Sequence, residues 1–329
     1  MKPLVIYHAN CTDGFGAAFA AWLKLGDEAE YLPMEYGHSV GANLPMFEGR
    51  EVYILDFSFP KPDMVDIFAE AKLVTWLDHH KTAFEMWTGL YVKDGIHIEH
   101  DYDPDSMQPW VTLDDTKSGA MLAWEYFHPG TEVPMLIQHI DDRDRWQFKM
   151  EGSRELHAAL ASYKPWTFDQ WWRLFYDKPG LGTNKRADMI REGAAILRAH
   201  NQHVQAALKQ ARLCQIIKPE KQRGHRVEPP WSHRVSGPNH LGYFDEAYVS
   251  GLAVNAPAFL ASDLGHELAN KSGTFGLVWS MAGDGKIHCS LRSNGDYDVS
   301  AIAKAFGGGG HRNASGFSTD IDTLMGWIK

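Results

Sequence analysis

At 329 residues, with 44 % hydrophobic and 22 % charged side chains, the chain has the composition of a folded globular protein long enough for two domains that each bury a core. The formal net charge of −10 excludes a protein that coats duplex DNA through a dominant basic surface, but leaves room for small anionic substrates held by local cations or bound metal ions. The cysteines Cys11, Cys214 and Cys289 are odd in number and widely spaced, the N-terminus lacks an apolar leader, and no run approaches the roughly 18 apolar residues of a membrane span. Reduced thiols, a cytoplasmic location and no membrane association are the corresponding expectations.

In chain order, Leu4 to Tyr7 is an apolar strand followed by an Ala-rich helical segment from Gly14 to Leu25. Strand patterns recur at Glu51 to Phe57 and Lys72 to Leu77, with Pro62 to Ala71 as a crossover helix between them. Strand and helix alternating in this way predict a parallel sheet in an open α/β domain. Helices follow at Ser118 to Phe127, Val133 to Ile140, Arg154 to Ser162 and Phe168 to Tyr176, and the Ala-rich, charged segment Lys185 to Arg212 predicts one long connecting helix. Residues 213 to 245, with Pro219, Pro229, Pro230 and Pro238, read as an irregular insertion. Beyond it come a strand at Tyr248 to Val254 and a helix from Ala258 to Ala269. A hairpin then pairs Thr274 to Ser280 with Lys286 to Arg292, and a helix from Val299 to Phe306 precedes the run GGGGHRNASGF. The fold class is therefore α/β: a parallel-sheet N-terminal domain at 1–200, a linker and insertion at 201–245, and a smaller α/β domain at 246–329.

Ligands of open α/β sheets gather at the carboxyl ends of the strands. The first strand here runs into His8-Ala-Asn10-Cys11-Thr-Asp13-Gly14, the second into Asp56, and the third into Asp78-His79-His80. Imidazoles and carboxylates brought to one rim make a site for a divalent first-row metal ion. Any one of these alone is more often an N-cap or turn residue; their equivalent positions after successive strands give them weight together.

With these residues the sequence resembles the DHH phosphoesterase family, through His8 to Gly14, Asp56, Asp78 to His80 and the segment Asp142-Arg-Asp144-Arg-Trp146. The C-terminal part resembles the DHH-associated domain of nanoRNases and RecJ-type exonucleases, through Ser290-Leu-Arg292-Ser293 and Gly307-Gly-Gly-Gly310-His311-Arg-Asn313-Ala-Ser-Gly316. The resemblance implies two divalent ions, Mn²⁺ first with Mg²⁺ or Co²⁺ as substitutes, and Asp56 bridging them. His8 and Asp56 would hold one ion, and Asp13, Asp56, His79 and Asp142 the other. His80 would face the substrate phosphate and Asp78 would orient the histidines. Family members commonly carry an Asp where this chain has Cys11. Cys11 as a thiolate ligand, the Asn10 amide oxygen, water or substrate oxygens, and Cys11 as a small packed side chain all remain open at that position.

In the glycine-rich run, backbone N–H groups can approach a phosphate closely, and Arg292 can add a bidentate contact. A flexible turn is the ordinary use of such a run. The resemblance favours substrate contacts from Arg292, Ser293, Gly308, Gly309, Gly310, His311 and Asn313. Between Lys209 and Arg234 the bases Lys209, Arg212, Lys218, Lys221, Arg223, Arg226 and Arg234 outnumber the acids Glu220 and Glu228. A solvated connector is the expected reading, with guidance of a nucleic-acid strand past Trp231 as the alternative.

The expected activity is hydrolysis of short oligonucleotides by a nanoRNase-like phosphodiesterase, and a homodimer is compatible with it. Phosphomonoesterase action on 3′-phosphoadenosine phosphate and hydrolysis of cyclic dinucleotides are alternatives with the same machinery. The glycine-rich loop disfavours a family II pyrophosphatase, and nothing resembles the added nucleic-acid domain of a processive exonuclease. A non-catalytic nucleotide sensor would require loss of the first metal site.

Overall fold

The computed structural model describes residues 1–36, 40, 46–88, 97–100, 109–175, 185–217, 248–295 and 297–329. Lys218 to Arg234, with Trp231 and the prolines of the insertion, lie outside these residues, as does Tyr176. The chain divides into two compact units, Met1–Arg198 and Ala199–Lys329.

In the first unit, β1 (Leu4–His8) leads through α1 (Thr12–Leu25) to β2 (Glu30–Met34) and β3 (Glu51–Leu55). Then come α2 (Lys61–Glu70), β4 (Leu73–Asp78), α3 (Lys81–Thr88), β5 (His97–His100) and β6 (Trp110–Asp114). The six-stranded sheet has the order β2-β1-β3-β4-β6-β5, parallel throughout except for the β5–β6 pair. Alternate residues of β1 serve opposite faces: Val5 and Tyr7 pack in one core with Phe19, Leu55 and Ile137, Leu4 and Ile6 in another with Ile54, Ile67 and Trp76. A strand buried on both faces must be apolar along its whole length, which is why β1, β3 and β4 read as continuous hydrophobic runs. From β1 the chain passes to β2 on one side and, later, to β3 on the other. That reversal opens a crevice at the carboxyl ends of β1 and β3, where His8 and Asp56 stand.

The rest of the first unit is helical: α4 (Gly119–Phe127), α5 (Met135–Asp144), α6 (Ser153–Ser162), α7 (Phe168–Phe175) and the start of α8 (Lys185–Leu208). Small residues let α1 and α4 pack closely; a Cβ at Gly16 would lie 2.9 Å from that of Ala120. Phe19 and Trp171 are sealed in the same core, and truncating either to Ala costs about 3–5 kcal/mol.

The long helix α8 runs from the first unit into the second, and its Val204 and Leu208 pack with Leu264, Leu268 and Val278. It ends at Leu208, and Arg212–Ile217 form β7, so part of the expected linker belongs to the second unit's sheet. Then follow β8 (Tyr248–Asn255), a 3₁₀ turn at Ala258–Leu260, α9 (Ala261–Ser272), β9 (Phe275–Met281) and β10 (Ile287–Ser293). The chain closes with α10 (Val299–Ala305), β11 (Gly309–His311), β12 (Ala314–Thr319) and α11 (Ile321–Trp327). The mixed sheet has the order β11-β12-β10-β9-β8-β7, with β8 and β9 parallel and the other neighbours antiparallel. The glycine-rich run thus supplies β11, the turn and the start of β12 in a hairpin. No helix among the described residues is long and apolar enough to cross a membrane.

Candidate metal centre

The end of β3 turns abruptly. Asp56 has a φ of 54°, a left-handed conformation that a non-glycine residue holds only where its surroundings fix it. Its N–H donates to the Leu77 carbonyl, continuing the β3–β4 pairing while the side chain swings into the crevice. Gly119, at the start of α4, makes the room, because a Cβ there would sit 2.4 Å from the Asp56 Cβ. Gly14 plays the same part in α1, where a Cβ would meet the His8 carbonyl oxygen at 2.2 Å.

Around Asp56 the groups converge. Its Oδ1 lies 3.0 Å from His79 Nε2 and its Oδ2 lies 3.7 Å from His8 Nδ1, so the two oxygens of one buried carboxylate face different imidazoles. The same His79 Nε2 is 3.4 Å from Asp13 Oδ2 and 3.7 Å from Asp144 Oδ2. Asp13 is also held by α4, whose first-turn N–H groups of Gly119 and Ala120 donate to Oδ2 and Oδ1 at 2.7 and 2.8 Å. A helix N-terminus is a natural seat for an anion. Asp78 works locally: its Oδ1 accepts from the His79 and His80 N–H groups and lies 2.7 Å from His80 Nδ1, fixing that ring.

One ligand atom each from His8, Cys11 and Asp56 lie within 4.8 Å of one another, and so do those of Asp13, His79 and Asp144. The fourth-motif ligand was expected to be Asp142, but the structure puts Asp144 beside His79. Residues two apart on a helix point about 200° apart, so α5 can send only one of the pair into the crevice. Asp142 points the other way and accepts from Lys149 N, Met150 N and Ser153 Oγ at 2.7, 3.1 and 2.5 Å. Burial would raise the Asp142 pKa, but these hydrogen bonds lower it below the usual carboxylate range. Ser153 Oγ also lies 2.8 Å from His139 Nδ1, and Arg186 Nε donates to His139 Nε2, so Asp142 anchors the loop after α5. Asn10, the other candidate, has its side-chain amide donating to Glu35.

The electrostatics are those of a site built for cations. Asp13 is pushed well above the usual carboxylate range by burial and by the charges of Asp56 and Asp144. Burial alone would raise Asp56 as well, but His79, His8 and His80 around it hold it far down. Burial would lower His8, yet Asp56 and Cys11 beside it raise it to about 11. His79 is raised too, burial being overridden by Asp56, Asp144 and Asp13. Among the described residues, the buried atoms His8 Nδ1, Asp56 Oδ2 and Asp78 Oδ2 have no hydrogen-bond partner. Unpaired lone pairs of this kind are costly in a protein interior and are what a bound cation would satisfy. The donor set of imidazole and carboxylate fits a divalent first-row ion.

In the second unit, Arg292 of β10 pairs across the sheet with Ala314 of β12, which pairs in turn with His311 of β11. Directly opposed residues share a face, so Arg292 and His311 flank Ala314 on one side of the sheet. Arg292 donates to Ser262 Oγ and to its neighbour's carbonyl, Leu291 O. Ser293 and Asn313 are tied to each other: Asn313 Nδ2 donates to Ser293 Oγ at 2.9 Å, and Ser293 Oγ donates to the Tyr297 carbonyl. Gly308 N donates to the Ala303 carbonyl, while Gly309 and Gly310 pair with Gly316 and Ser315 in the hairpin.

A DHHA1 domain matches residues 251–325, the greater part of the second unit. A curated relative, the uncharacterized protein R106 of Acanthamoeba polyphaga mimivirus, is 30 % identical over 333 residues, which cover 96 % of this chain and 67 % of R106. The chain belongs to the DHH family. It has the DHH-family phosphoesterase fold with a C-terminal DHHA1 domain, and its clustered His and Asp residues suit a metal-dependent hydrolase. Among solved structures it is similar to RecJ in complex with Mn²⁺ from Thermus thermophilus, at a TM-score of 0.46 and 13 % identity over 99 % of this chain and 50 % of that one. It is also similar to PggH, a pGpG-specific phosphodiesterase from Vibrio cholerae, at a TM-score of 0.38 and 12 % identity over 98 % and 94 % of the two chains. The chain spans half the length of that RecJ chain.

Proposed function

We propose that this DHH-family member is a phosphodiesterase that hydrolyses short oligonucleotides with the help of two divalent ions, Mn²⁺ at the oxygen-rich position. The observation that carries the proposal is the split of the Asp56 carboxylate, one oxygen toward His79 and the other toward His8, each with its own set of further ligands. His8, Asp56 and Cys11 would hold one ion, and Asp13, Asp56, His79 and Asp144 the other. Such a pair supplies Lewis-acid polarisation of the phosphoryl group and activation of water for in-line attack at phosphorus.

The residues of the chain do the rest. Asp78 binds Nδ1 of His80 and thereby leaves Nε2 as the nitrogen that addresses a phosphoryl oxygen. The α4 N-terminus holds Asp13 in place, and the apolar cores on either side of the sheet fix the strand ends that carry the ligands. In the DHHA1 domain, Arg292 and His311 are proposed as the substrate contacts, with Gly308, Gly309 and Gly310 giving the hairpin the backbone shape that presents His311.

A substrate panel tests the proposal: 5′-phosphorylated dinucleotides, longer RNA, single-stranded DNA, cyclic dinucleotides, 3′-phosphoadenosine phosphate and pyrophosphate, each with Mn²⁺ and Mg²⁺. Preferential cleavage of the dinucleotides is the expected outcome. Cleavage of pyrophosphate alone would overturn it, and preference for 3′-phosphoadenosine phosphate would move the activity to a phosphomonoesterase.

A further inference from the structure

The two ligand sets at Asp56 differ in chemistry. Asp13, His79 and Asp144 offer one imidazole and two carboxylates, whereas the other set contains the Cys11 sulfur beside His8 and Asp56. Cys11 occupies the N-cap of α1 with an extended backbone, φ −106° and ψ 138°, yet its side chain makes no capping hydrogen bond. Asn10 before it takes a left-handed φ of 59°, and its side-chain amide N–H donates to Glu35. The other cysteines are core residues: Cys214 and Cys289 are buried in the second unit, and burial pushes both thiols up to about 12. Next to Cys11, Asp56 Oδ2 and His8 Nδ1 are buried and without hydrogen-bond partners among the described residues, and the Asp56 side chain is 1 % exposed.

From this geometry we infer that the first ion site is a thiolate site, in which Cys11 Sγ, His8 Nδ1 and Asp56 Oδ2 select a thiophilic divalent ion such as Zn²⁺, Co²⁺ or Fe²⁺, while the second site keeps a harder ion. The inference rests on the two-ion reading of Asp56 proposed above. Thiolate sulfur is a soft ligand that strengthens binding of Zn²⁺-like ions far more than that of Mn²⁺ or Mg²⁺, which favour oxygen. A centre with sulfur on one side and only oxygen and nitrogen on the other therefore sorts two different metals into two positions. The thiol proton leaves to solvent as the ion binds.

The test loads the chelator-stripped full chain with Zn²⁺ and then Mn²⁺, measures metal content, and records X-ray absorption at the zinc edge. One sulfur neighbour at about 2.3 Å from zinc is expected, together with a second, manganese-filled site. The Co²⁺-loaded chain should show a sulfur-to-cobalt charge-transfer band that disappears in Cys11→Ser, with Cys214 and Cys289 still present. Cys11→Asp should lose the sulfur neighbour and take up Mn²⁺ at both sites. Two bound ions with only oxygen and nitrogen around zinc would overturn the thiolate site and leave the two-ion reading standing. A band that survives in Cys11→Ser would also overturn the thiolate site. Binding of a single ion or none would overturn both.

Discussion

The two places where the sequence concentrates its unusual residues differ in how their charged and polar groups are arranged. At the carboxyl end of the first sheet, His8 Nδ1 and Asp56 Oδ2 face each other at 3.7 Å, neither hydrogen-bonded among the described residues, and like charges crowd one another. At the glycine-rich hairpin of the DHHA1 domain, Ser293 Oγ, Asn313 Nδ2, Gly308 N and the Arg292 guanidinium are hydrogen-bonded within the domain. Carboxylates crowded together in a buried crevice are stable there only with protons or cations among them. The difference therefore separates a crowded, charged crevice, which bound cations would relieve, from a hairpin whose polar side chains are mostly tied to one another and which presents a few of them. Substitutions in the first region should cost chemistry, and most in the second should cost stability.

The largest effect is expected at Asp56, whose two oxygens face both ligand sets. Asp56→Ala should lower turnover of a 5′-phosphorylated dinucleotide by on the order of 10³-fold, about 4 kcal/mol of transition-state stabilisation, and leave at most one bound ion by elemental analysis. Near wild-type turnover with two ions retained would remove Asp56 from the centre.

Next in size is the contrast within α5. Asp144→Ala should empty the oxygen-rich site and lower turnover with little change in folding stability. Asp142→Ala should keep both ions but lose the hydrogen bonds to Lys149 N, Met150 N and Ser153 Oγ, a loss of about 2–4 kcal/mol measured by denaturant unfolding. If Asp142→Ala released an ion while Asp144→Ala did not, the assignment of the two carboxylates would be reversed.

This pair also marks where the sequence stopped being legible. The strand ends bearing His8, Asp56 and Asp78 could be read because β1, β3 and β4 are buried on both faces and so stand out as apolar runs. Asp142 and Asp144 share a helix and a composition, and only the phase of α5 against the sheet decides between them. Strand β2 escaped detection for another reason. It is the edge of the sheet, half exposed, and contains Pro33, which a central strand would not tolerate. Strand β7 was hidden because the charged, Ala-rich composition of α8 runs on toward it without a clear stop. The roles of the Gly119 and Ala120 N–H groups had only an indirect signal, the Ser118 N-cap, because the Asp13 they bind is distant in the chain.

A smaller and graded effect should appear in the pH dependence of metal binding. Without a bound ion His8 is raised to about 11, and His79 is raised as well, so these imidazoles carry protons that a metal ligand cannot keep. The sign follows directly: loading displaces protons, so affinity must rise with pH. Across the window from the ordinary imidazole value, near 6.5, up to about 11, affinity should improve about tenfold per pH unit for each proton released. For the metal-free fold the sign is opposite. The stabilisation from protonated His8 is fully present below the ordinary imidazole value and is lost as pH rises through about 11. Calorimetric titration in buffers of different ionisation enthalpy measures the protons released, and affinity that fell with rising pH would contradict the assignment of His8 and His79 as ligands.

The smallest effect should come from the second region and bears on what its polar residues are for. Ser293 is buried, accepts from Asn313 and donates to the Tyr297 carbonyl, so its hydroxyl joins the end of β10 to the loops on both sides. Ser293→Ala strands the Tyr297 carbonyl and leaves the Asn313 amide only the Gly295 carbonyl, which should cost about 1–2 kcal/mol in urea unfolding of the DHHA1 domain, with metal content and KM unchanged. The opposite result, a KM raised severalfold at unchanged stability, would show that Ser293 meets the substrate. The DHHA1 hairpin would then have to be counted as part of the binding surface rather than as the frame that holds Arg292 and His311 on one face.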